Sequence, residues 1–277
     1  QKIVFLAFEC INISNNIKSE VFMPFLVVKS RTIKFTIFVI IVACLLSISI
    51  DGVNAAQVYF GYPAKKVPVY CVETEEKKVA ISFDAAWGAD KTEKIMSILK
   101  EYKVNATFFL VSFWAEEHSD LVKKIDENGF EIGSHSNSHP DFAKLSETQM
   151  RQELEGSIKT IEGITNKKVE VFRFPFGSYN NTAMKVCEDM NLIPIQWDVD
   201  TLDWKGIKAD EICKRVVSRV KNGSIILCHN NSDHITEALP IMLDRLQKKG
   251  YEVTSVGNLI YKSNYSIRRD GTQTKNA

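Results

Sequence analysis

Short apolar runs alternate with amphipathic segments from Val79 to about Val256. After the first run, Ile95, Ile98, Leu99 and Tyr102 follow the i, i+3, i+4, i+7 spacing of one helix face. Repeats of this alternation predict seven strands: Val79–Phe83, Thr107–Val111, Phe130–Gly133, Val169–Phe174, Leu192–Trp197, Ser224–Cys228 and Tyr251–Val256. Strands that alternate with helices indicate an α/β fold with a parallel sheet, either open and doubly wound or closed as a barrel.

Capping residues mark the ends of several predicted helices. Asp90 with Glu93, and Ser146 with Gln149, have the spacing of a capping box, in which a side chain at the helix start binds a backbone N–H three residues on. Asn128–Gly129 provides a helix-ending glycine before the third strand. The polar tail, residues 263–277, is expected to be frayed.

The N-terminal fifth differs from the rest. Residues 35–50 carry no charge and follow Lys29, Arg31 and Lys34, a pattern typical of a secretory signal or an N-terminal membrane anchor. We therefore predict export, with residues 23–55 as signal peptide or anchor and 56–76 as a short pre-segment. Cleavage before Ala56 and retention in the membrane both stay open. Because Met23 stands where a signal peptide would start, residues 1–22 are predicted to lie outside the working protein.

Composition excludes some classes of function. The 277 residues are 45% hydrophobic and 25% charged, with a net charge of +1, as in ordinary globular proteins. No basic stripe appears, so nucleic-acid binding is disfavoured. Beyond the leader, four cysteines (Cys71, Cys187, Cys213 and Cys228) are scattered without a C-x-x-C motif and are interpreted as structural, either paired or free.

Polar and ionisable side chains follow most of the predicted strands. They are Asp84, His135, His139, Arg173, Asp200, Asp203 and His229. Because the carboxyl ends of parallel strands share one face, we expect these side chains to converge on a site. His135 and His139 also have a metal-ligand spacing, although two histidines in a surface loop would look the same.

Five segments in this order resemble the motifs of the NodB-homology polysaccharide deacetylases, carbohydrate esterase family 4. They are Ser82–Gly88 (SFDAAWG), His135–His139 (HSNSH), Arg173–Gly177 (RFPFG), Asp200–Trp204 (DTLDW) and Leu227–His229 (LCH). The resemblance spans residues 77–262 and implies a distorted seven-stranded (β/α) barrel. The first motif most resembles the sporulation-type, PdaB-like branch.

The resemblance also implies a role for each matching residue. Asp84 would be the general base, oriented by Arg173, and His229 the general acid, tuned by Asp203. His135 and His139 would hold a divalent metal, foremost zinc, with cobalt or manganese as alternatives. The backbone N–H of Phe176, after Pro175, would stabilise the oxyanion, and Trp204 and Leu227 would wall the pocket for the acetyl methyl.

One position departs from the family. A second, metal-binding aspartate usually follows the base, and here Ala85 stands in its place. An alanine cannot coordinate a cation, so we expect weaker or different metal binding.

Some of these residues also fit a structural role. Asp84 or Asp200 could instead cap turns, and Asp200 is the more ambiguous of the two. Cys228 beside His229 could suggest a Cys–His nucleophile, but strand alternation places their side chains on opposite faces. His118 and His234 are expected to flank helices or lie on the surface.

Together these observations predict an exported, monomeric de-N-acetylase acting on an N-acetylated cell-wall glycan. Its leader would contact the membrane if it is not cleaved. The alternatives are a carbohydrate-binding pseudoenzyme of the same fold, which Ala85 favours, and a hydrolase of another amide or ester.

Overall fold

The computed structural model describes residues 3–4, 28–29, 32, 34–42 and 64–276 of the chain. The chain divides into two units, Gln1–Ala64 and Lys65–Ala277. In the first unit Ile3–Val4 pairs antiparallel with Val28–Lys29, and residues 34–42 are helical. No helix of the described residues is both long enough and apolar enough to cross a bilayer. The predicted cleavage position before Ala56 lies outside the described residues.

A parallel sheet forms the centre of the second unit. Strand β1 (Cys71–Val72) precedes its eight strands, which are β2 (Lys78–Ala85), β3 (Thr107–Leu110), β4 (Glu131–Ser134), β5 (Val171–Phe172), β6 (Ile193–Pro194), β7 (Val199–Asp200), β8 (Ile225–His229) and β9 (Glu252–Thr254). Their order is β6-β5-β4-β3-β2-β8-β7, with β9 beside β2, and every pair is parallel. The predicted α/β class is confirmed.

Helices connect these strands. They are α1 (Thr92–Glu101), α2 (Ser112–Glu117), α3 (Ser119–Glu127), α4 (Glu147–Thr165), α5 (Asn181–Asp189), α6 (Ala209–Arg219), α7 (Ile235–Lys248) and α8 (Val256–Leu259). The predicted capping box of α4 is confirmed, because Ser146 Oγ accepts from Gln149 N and Gln149 Oε1 accepts from Ser146 N. The Asp90 cap is wrong: α1 begins after Lys91, and the Asp90 carboxylate accepts from Lys91 Nζ at 3.1 Å instead.

Alternation along β2 separates the core from the site. Ile81 and Phe83 are buried in the larger apolar cluster, which also contains the apolar faces of the helices. Ala85 is buried too, but it is the last residue of the strand, where β2 gives way to the loop beside the site. Ser82 and Asp84 take the intervening positions and therefore point to the other face of the sheet. The strand thus has one face that packs and one that can carry chemistry.

Two strand predictions need correction. The sheet has eight strands rather than seven, because the two-residue β7 lacks an apolar run that would reveal it. The polar tail is not frayed. Strand β10 (Tyr265–Ile267) pairs antiparallel with β11 (Thr272–Lys275), which pairs parallel with β1. The side-chain amide of the buried Gln273 accepts a hydrogen bond from the Tyr261 backbone N–H and donates one to the Tyr261 carbonyl. Hydrogen bonds rather than apolar side chains therefore fix this segment.

Candidate active site

Strand register brings the predicted site residues together at the carboxyl ends of the strands. Asp84 at the end of β2 lies directly beside His229 at the end of β8. His135 follows β4, and Arg173 follows β5, the next strand in the sheet. Four segments that are distant in sequence therefore meet on one face.

A buried ion pair lies at the base of the site. Arg173 is fully buried and donates from Nη1 to Asp84 Oδ1 at 2.8 Å and from Nη2 to the Gln196 carbonyl at 3.2 Å. The guanidinium also lies over the Phe109 ring, 4.1 Å from its centroid. Burial works against the charge of Asp84, but the charge of Arg173 outweighs it and holds the pKa of Asp84 below its ordinary value. Asp84 is therefore ionised at neutral pH.

The two histidines approach the same carboxylate. His135 donates from Nδ1 to the Arg173 carbonyl at 2.8 Å, so its Nε2 keeps a lone pair and lies 3.5 Å from Asp84 Oδ2. The His139 ring lies edge-on to His135, with centroids 4.9 Å apart. Burial lowers the pKa of His135, and burial with the neighbouring His135 lowers that of His139 to about 4. Both imidazoles are neutral at pH 7.

A carboxylate on α4 holds the loop that carries the histidines. Glu153 Oε2 accepts from the backbone N–H groups of Asn137 and Ser138, at 3.0 and 2.8 Å. Ser136 Oγ accepts from His139 N at 2.9 Å, and both Ser136 and His139 have positive φ angles. These bonds stabilise backbone conformations that L-residues rarely adopt, and they fix the position of His139.

The residues present do not complete a zinc site. His135 and His139 offer neutral nitrogens, and the bond from His135 Nδ1 to a carbonyl is typical of metal-binding histidines. Ala85 contributes no donor and is buried in the apolar cluster. The described residues contain no group of three or more His, Cys, Asp or Glu side chains placed to hold a metal ion. Catalytic zinc sites normally have three protein ligands, so this donor set is one short.

His229 and Asp203 form a second pair. Asp203 is almost fully buried and accepts from His229 Nδ1 at 2.7 Å and from His229 N at 2.8 Å. The ring nitrogen Nε2 is therefore the one left for a ligand. Burial opposes protonation of His229, but the hydrogen bond and charge of Asp203 outweigh it and raise the pKa of His229 above its ordinary value.

Several other polar residues near the site, and the cysteines, have structural roles. Asp200 caps its own turn, because Oδ1 accepts from Leu202 N at 2.8 Å. Cys228 is buried in the apolar cluster, and burial raises the pKa of its thiol well above the ordinary value, which argues against a nucleophile. His118 and His234 flank helices, as expected. The described cysteines are free and buried.

The predicted pocket residues lie on turns around this centre. Pro175 and Phe176 form a 3-10 turn after β5, and Phe176 has a left-handed backbone and a ring 70% exposed. The Phe176 ring lies edge-on to His139, with centroids 4.6 Å apart. Trp204 follows Asp203 in another 3-10 turn and is exposed, whereas Leu227 is buried on β8.

Sequence reasoning gave no role to several residues that support the site. Glu153 holds the histidine loop, and the Gln196 carbonyl holds Arg173. Asn230 is fully buried and links the end of β8 to the loop after β2. Only Asn230 had a signal, its place next to His229, because the contacts of Glu153 and Gln196 are made across 16 and 23 residues and follow no periodic pattern of the sequence.

The sequence is similar to those of one protein family. The polysaccharide deacetylase family matches residues 72–195. The uncharacterized protein YlxY of Bacillus subtilis (strain 168) is 33% identical over 193 residues, 70% of this chain and 60% of YlxY. A peptidoglycan-N-acetylglucosamine deacetylase of Bacillus cereus is 30% identical over 208 residues, 74% of this chain and 76% of that protein. The match thus covers less than two thirds of YlxY but three quarters of the deacetylase.

Solved structures share the fold. Wild-type BA3943 of Bacillus anthracis, described as a CE4 family pseudoenzyme, is 35% identical with a TM-score of 0.68, covering 70% of this chain and 68% of that chain. A BA3943 mutant described as having restored enzymatic activity is 37% identical with the same TM-score, covering 70% and 71%. The parallel sheet with its helices therefore matches the NodB-type distorted barrel that the motifs implied.

The His229–Asp203 pair can be tested by NMR titration of the His229 ring. We expect the pKa of His229 to lie above the ordinary value of about 6.5. Asp203→Asn should lower it, because the adjacent negative charge that stabilises the imidazolium is lost. Asp200→Asn is the matched control, since Asp200 caps a turn without touching the ring, and it should change the pKa much less. Equal shifts in the two variants would contradict this account.

Proposed function

The chain belongs to the polysaccharide deacetylase family, and we propose that it hydrolyses N-acetyl groups from amino sugars of a cell-wall glycan. The observation that carries the proposal is the juxtaposition of two polarised groups at the ends of adjacent strands. Asp84 is held ionised by Arg173, and the hydrogen bond and charge of Asp203 favour the protonated form of His229. A base and an acid side by side are what amide hydrolysis needs.

Asp84 serves as the general base in this proposal. Hydrolysis begins when a water oxygen bonds to the acetyl carbonyl carbon, and the water must lose a proton as it attacks. The Arg173 guanidinium occupies Oδ1, which leaves Oδ2 on the side of His135 to take that proton. Arg173 keeps the carboxylate oriented.

His229 serves as the general acid. When the C–N bond of the tetrahedral intermediate breaks, the departing amine needs a proton, and acetate is the second product. Nδ1 is bonded to Asp203, so Nε2 delivers the proton. The raised pKa keeps a larger share of His229 protonated near neutral pH than an ordinary histidine would have.

The turn after β5 is proposed to stabilise the oxyanion. The fixed φ of Pro175 and the left-handed conformation of Phe176 determine the direction of the Phe176 N–H, which we assign to the developing negative charge. Trp204 and Leu227 are assigned as walls around the acetyl methyl. A divalent cation at His135 and His139 would polarise the acetyl carbonyl. Because the donor set is incomplete, we propose that the cation binds weakly and that no step of the reaction depends on it.

The biological setting follows from the relatives and the leader. The Bacillus cereus relative is named for peptidoglycan, so we assign N-acetylated peptidoglycan as the first substrate to test. The uncharged segment 35–50 supports export, with anchoring at the outer face of the membrane if it is retained. The form of the first motif supports the sporulation-type, PdaB-like branch, and with it a role in spore formation.

A second candidate is a glycan-binding pseudoenzyme. Two observations favour it: Ala85 replaces the usual metal-binding aspartate, and BA3943, 35% identical, is described as a pseudoenzyme. The surface around Asp84 and His229 would then bind sugar while the reaction rate stays negligible. Intact Asp84, Arg173 and His229 favour the enzyme.

Amine release from peptidoglycan and from N-acetylglucosamine polymers decides between the two candidates. The purified protein, assayed with and without zinc or cobalt, should release free amine. His229→Ala should reduce the rate about 10²- to 10⁴-fold, the usual contribution of a general acid. His234→Ala, a histidine at the start of α7, is the control and should leave the rate unchanged. Glycan binding without release on any substrate would favour the pseudoenzyme.

The missing ligand can be tested by thermal unfolding. Ala85 is fully buried in an apolar cluster, so Ala85→Asp should lower the melting temperature without metal, because a charge is buried without a partner. Added zinc should then raise the melting temperature, because a ligand at 100-fold excess over its Kd adds about 2.7 kcal/mol to the free energy of unfolding. Ala85→Asn, whose new side chain is neutral, should gain much less stability from added zinc. If zinc stabilises the wild type as strongly as Ala85→Asp, the donor set is already complete and this account is wrong.

A further inference from the structure

Two exposed aromatic side chains outside the proposed catalytic machinery lie beside the site. Trp87, in the loop after β2, is 57% exposed, and Phe113, near the start of α2, is 38% exposed. Their ring centroids are 6.4 Å apart, with the rings tilted by 47°. Burying an exposed aromatic ring is energetically favourable, so two such rings side by side form a surface suited to binding a ligand.

These rings continue directly into the site. The Trp87 ring centroid is 4.9 Å from that of His139, and the His139 centroid is 4.6 Å from that of Phe176. Phe113, Trp87, His139 and Phe176 thus form an aromatic row. One end of the row lies at the proposed oxyanion turn, and the other extends away from it to Phe113.

The loop that carries Trp87 is held in place from two sides. The Gly88 carbonyl accepts from the Trp114 indole Nε1 at 2.7 Å and from Asn230 Nδ2 at 2.8 Å. Asn230 also donates from its backbone N to the Asp84 carbonyl at 3.2 Å. Trp87 is therefore an exposed ring on a fixed support, connected to the strands that carry the base and the acid. A pre-formed surface loses little conformational freedom when a ligand binds.

We propose that Trp87 and Phe113 form a second sugar subsite that stacks the pyranose ring next to the one whose acetamide reacts. This inference rests on the proposed function. The faces of a pyranose carry C–H groups with slight positive charge, and the face of an aromatic ring is negative, so the two surfaces attract and also bury apolar area. Because the row extends from the site in one direction, the protein selects a chain of sugars over a single amino sugar.

Calorimetric binding separates this subsite from catalysis. The probes are N-acetylglucosamine and its linear tetramer, titrated into the purified protein without added metal. We expect the wild type to bind the tetramer at least about 3-fold tighter than the monomer, and Trp87→Ala to weaken tetramer binding about 3- to 10-fold while monomer binding stays within about 2-fold. Trp87→Phe should retain most of the affinity, and Phe113→Ala should lose less than Trp87→Ala. Ile241→Ala, an exposed apolar residue on α7, is the control and should change neither.

The outcomes are distinguishable from those of the amine-release assay. Loss of tetramer binding in Trp87→Ala supports the subsite even if the wild type releases no amine, since only the proposed reaction would then fail. Equal tetramer affinity in wild type and Trp87→Ala overturns the subsite even if amine is released. Equal loss for monomer and tetramer also overturns it, because Trp87 would then contact the reacting sugar itself.

Discussion

The buried ion pair between Arg173 and Asp84 is the interaction on which the rest of the site depends. It joins β2 to the end of β5, 89 residues apart in sequence, and removes both charges from water. Each buried ion costs several kcal/mol in desolvation, and the bond from Arg173 Nη2 to the Gln196 carbonyl and the contact with the Phe109 ring offset part of that cost, although Arg173 Nε has no hydrogen-bond partner among the described residues. The Arg173 carbonyl also orients His135. One residue therefore positions both the proposed base and the loop proposed to bind a cation.

The second pair complements the first. Asp203 holds both the ring and the backbone of His229, which lies beside Asp84 in the sheet. Arg173 keeps the Asp84 carboxylate ionised, and Asp203 favours the charged form of the His229 imidazole. Two neighbouring groups are thereby suited to opposite roles, one as base and one as acid. Ala85 leaves this acid–base arrangement intact and removes a donor only from the cation site. Proton transfer and metal affinity therefore depend on different residues of the site.

Much of this arrangement was predictable from sequence, within physical limits. Apolar runs such as Thr107–Leu110 revealed strands, and motif order at strand ends indicated which polar residues would converge. The two-residue β7 and the tail strand with Gln273 were missed, because backbone and amide hydrogen bonds rather than apolar periodicity fix them. Glu153 and Trp87 acquire their roles only through tertiary contacts with the histidine loop, and no local periodicity encodes such contacts.

The ionisation state of Asp84 tests the central claim most directly. Its carboxyl can be followed by NMR across an acid titration of protein labelled at aspartate carboxyl carbons. The account predicts that Asp84 keeps the signal of a carboxylate at pH of about 3.9, where an ordinary aspartate is half protonated, because Arg173 stabilises the charge. Protonation of Asp84 at or above that pH would contradict the account, since burial would then outweigh the ion pair and the proposed base would lose its support.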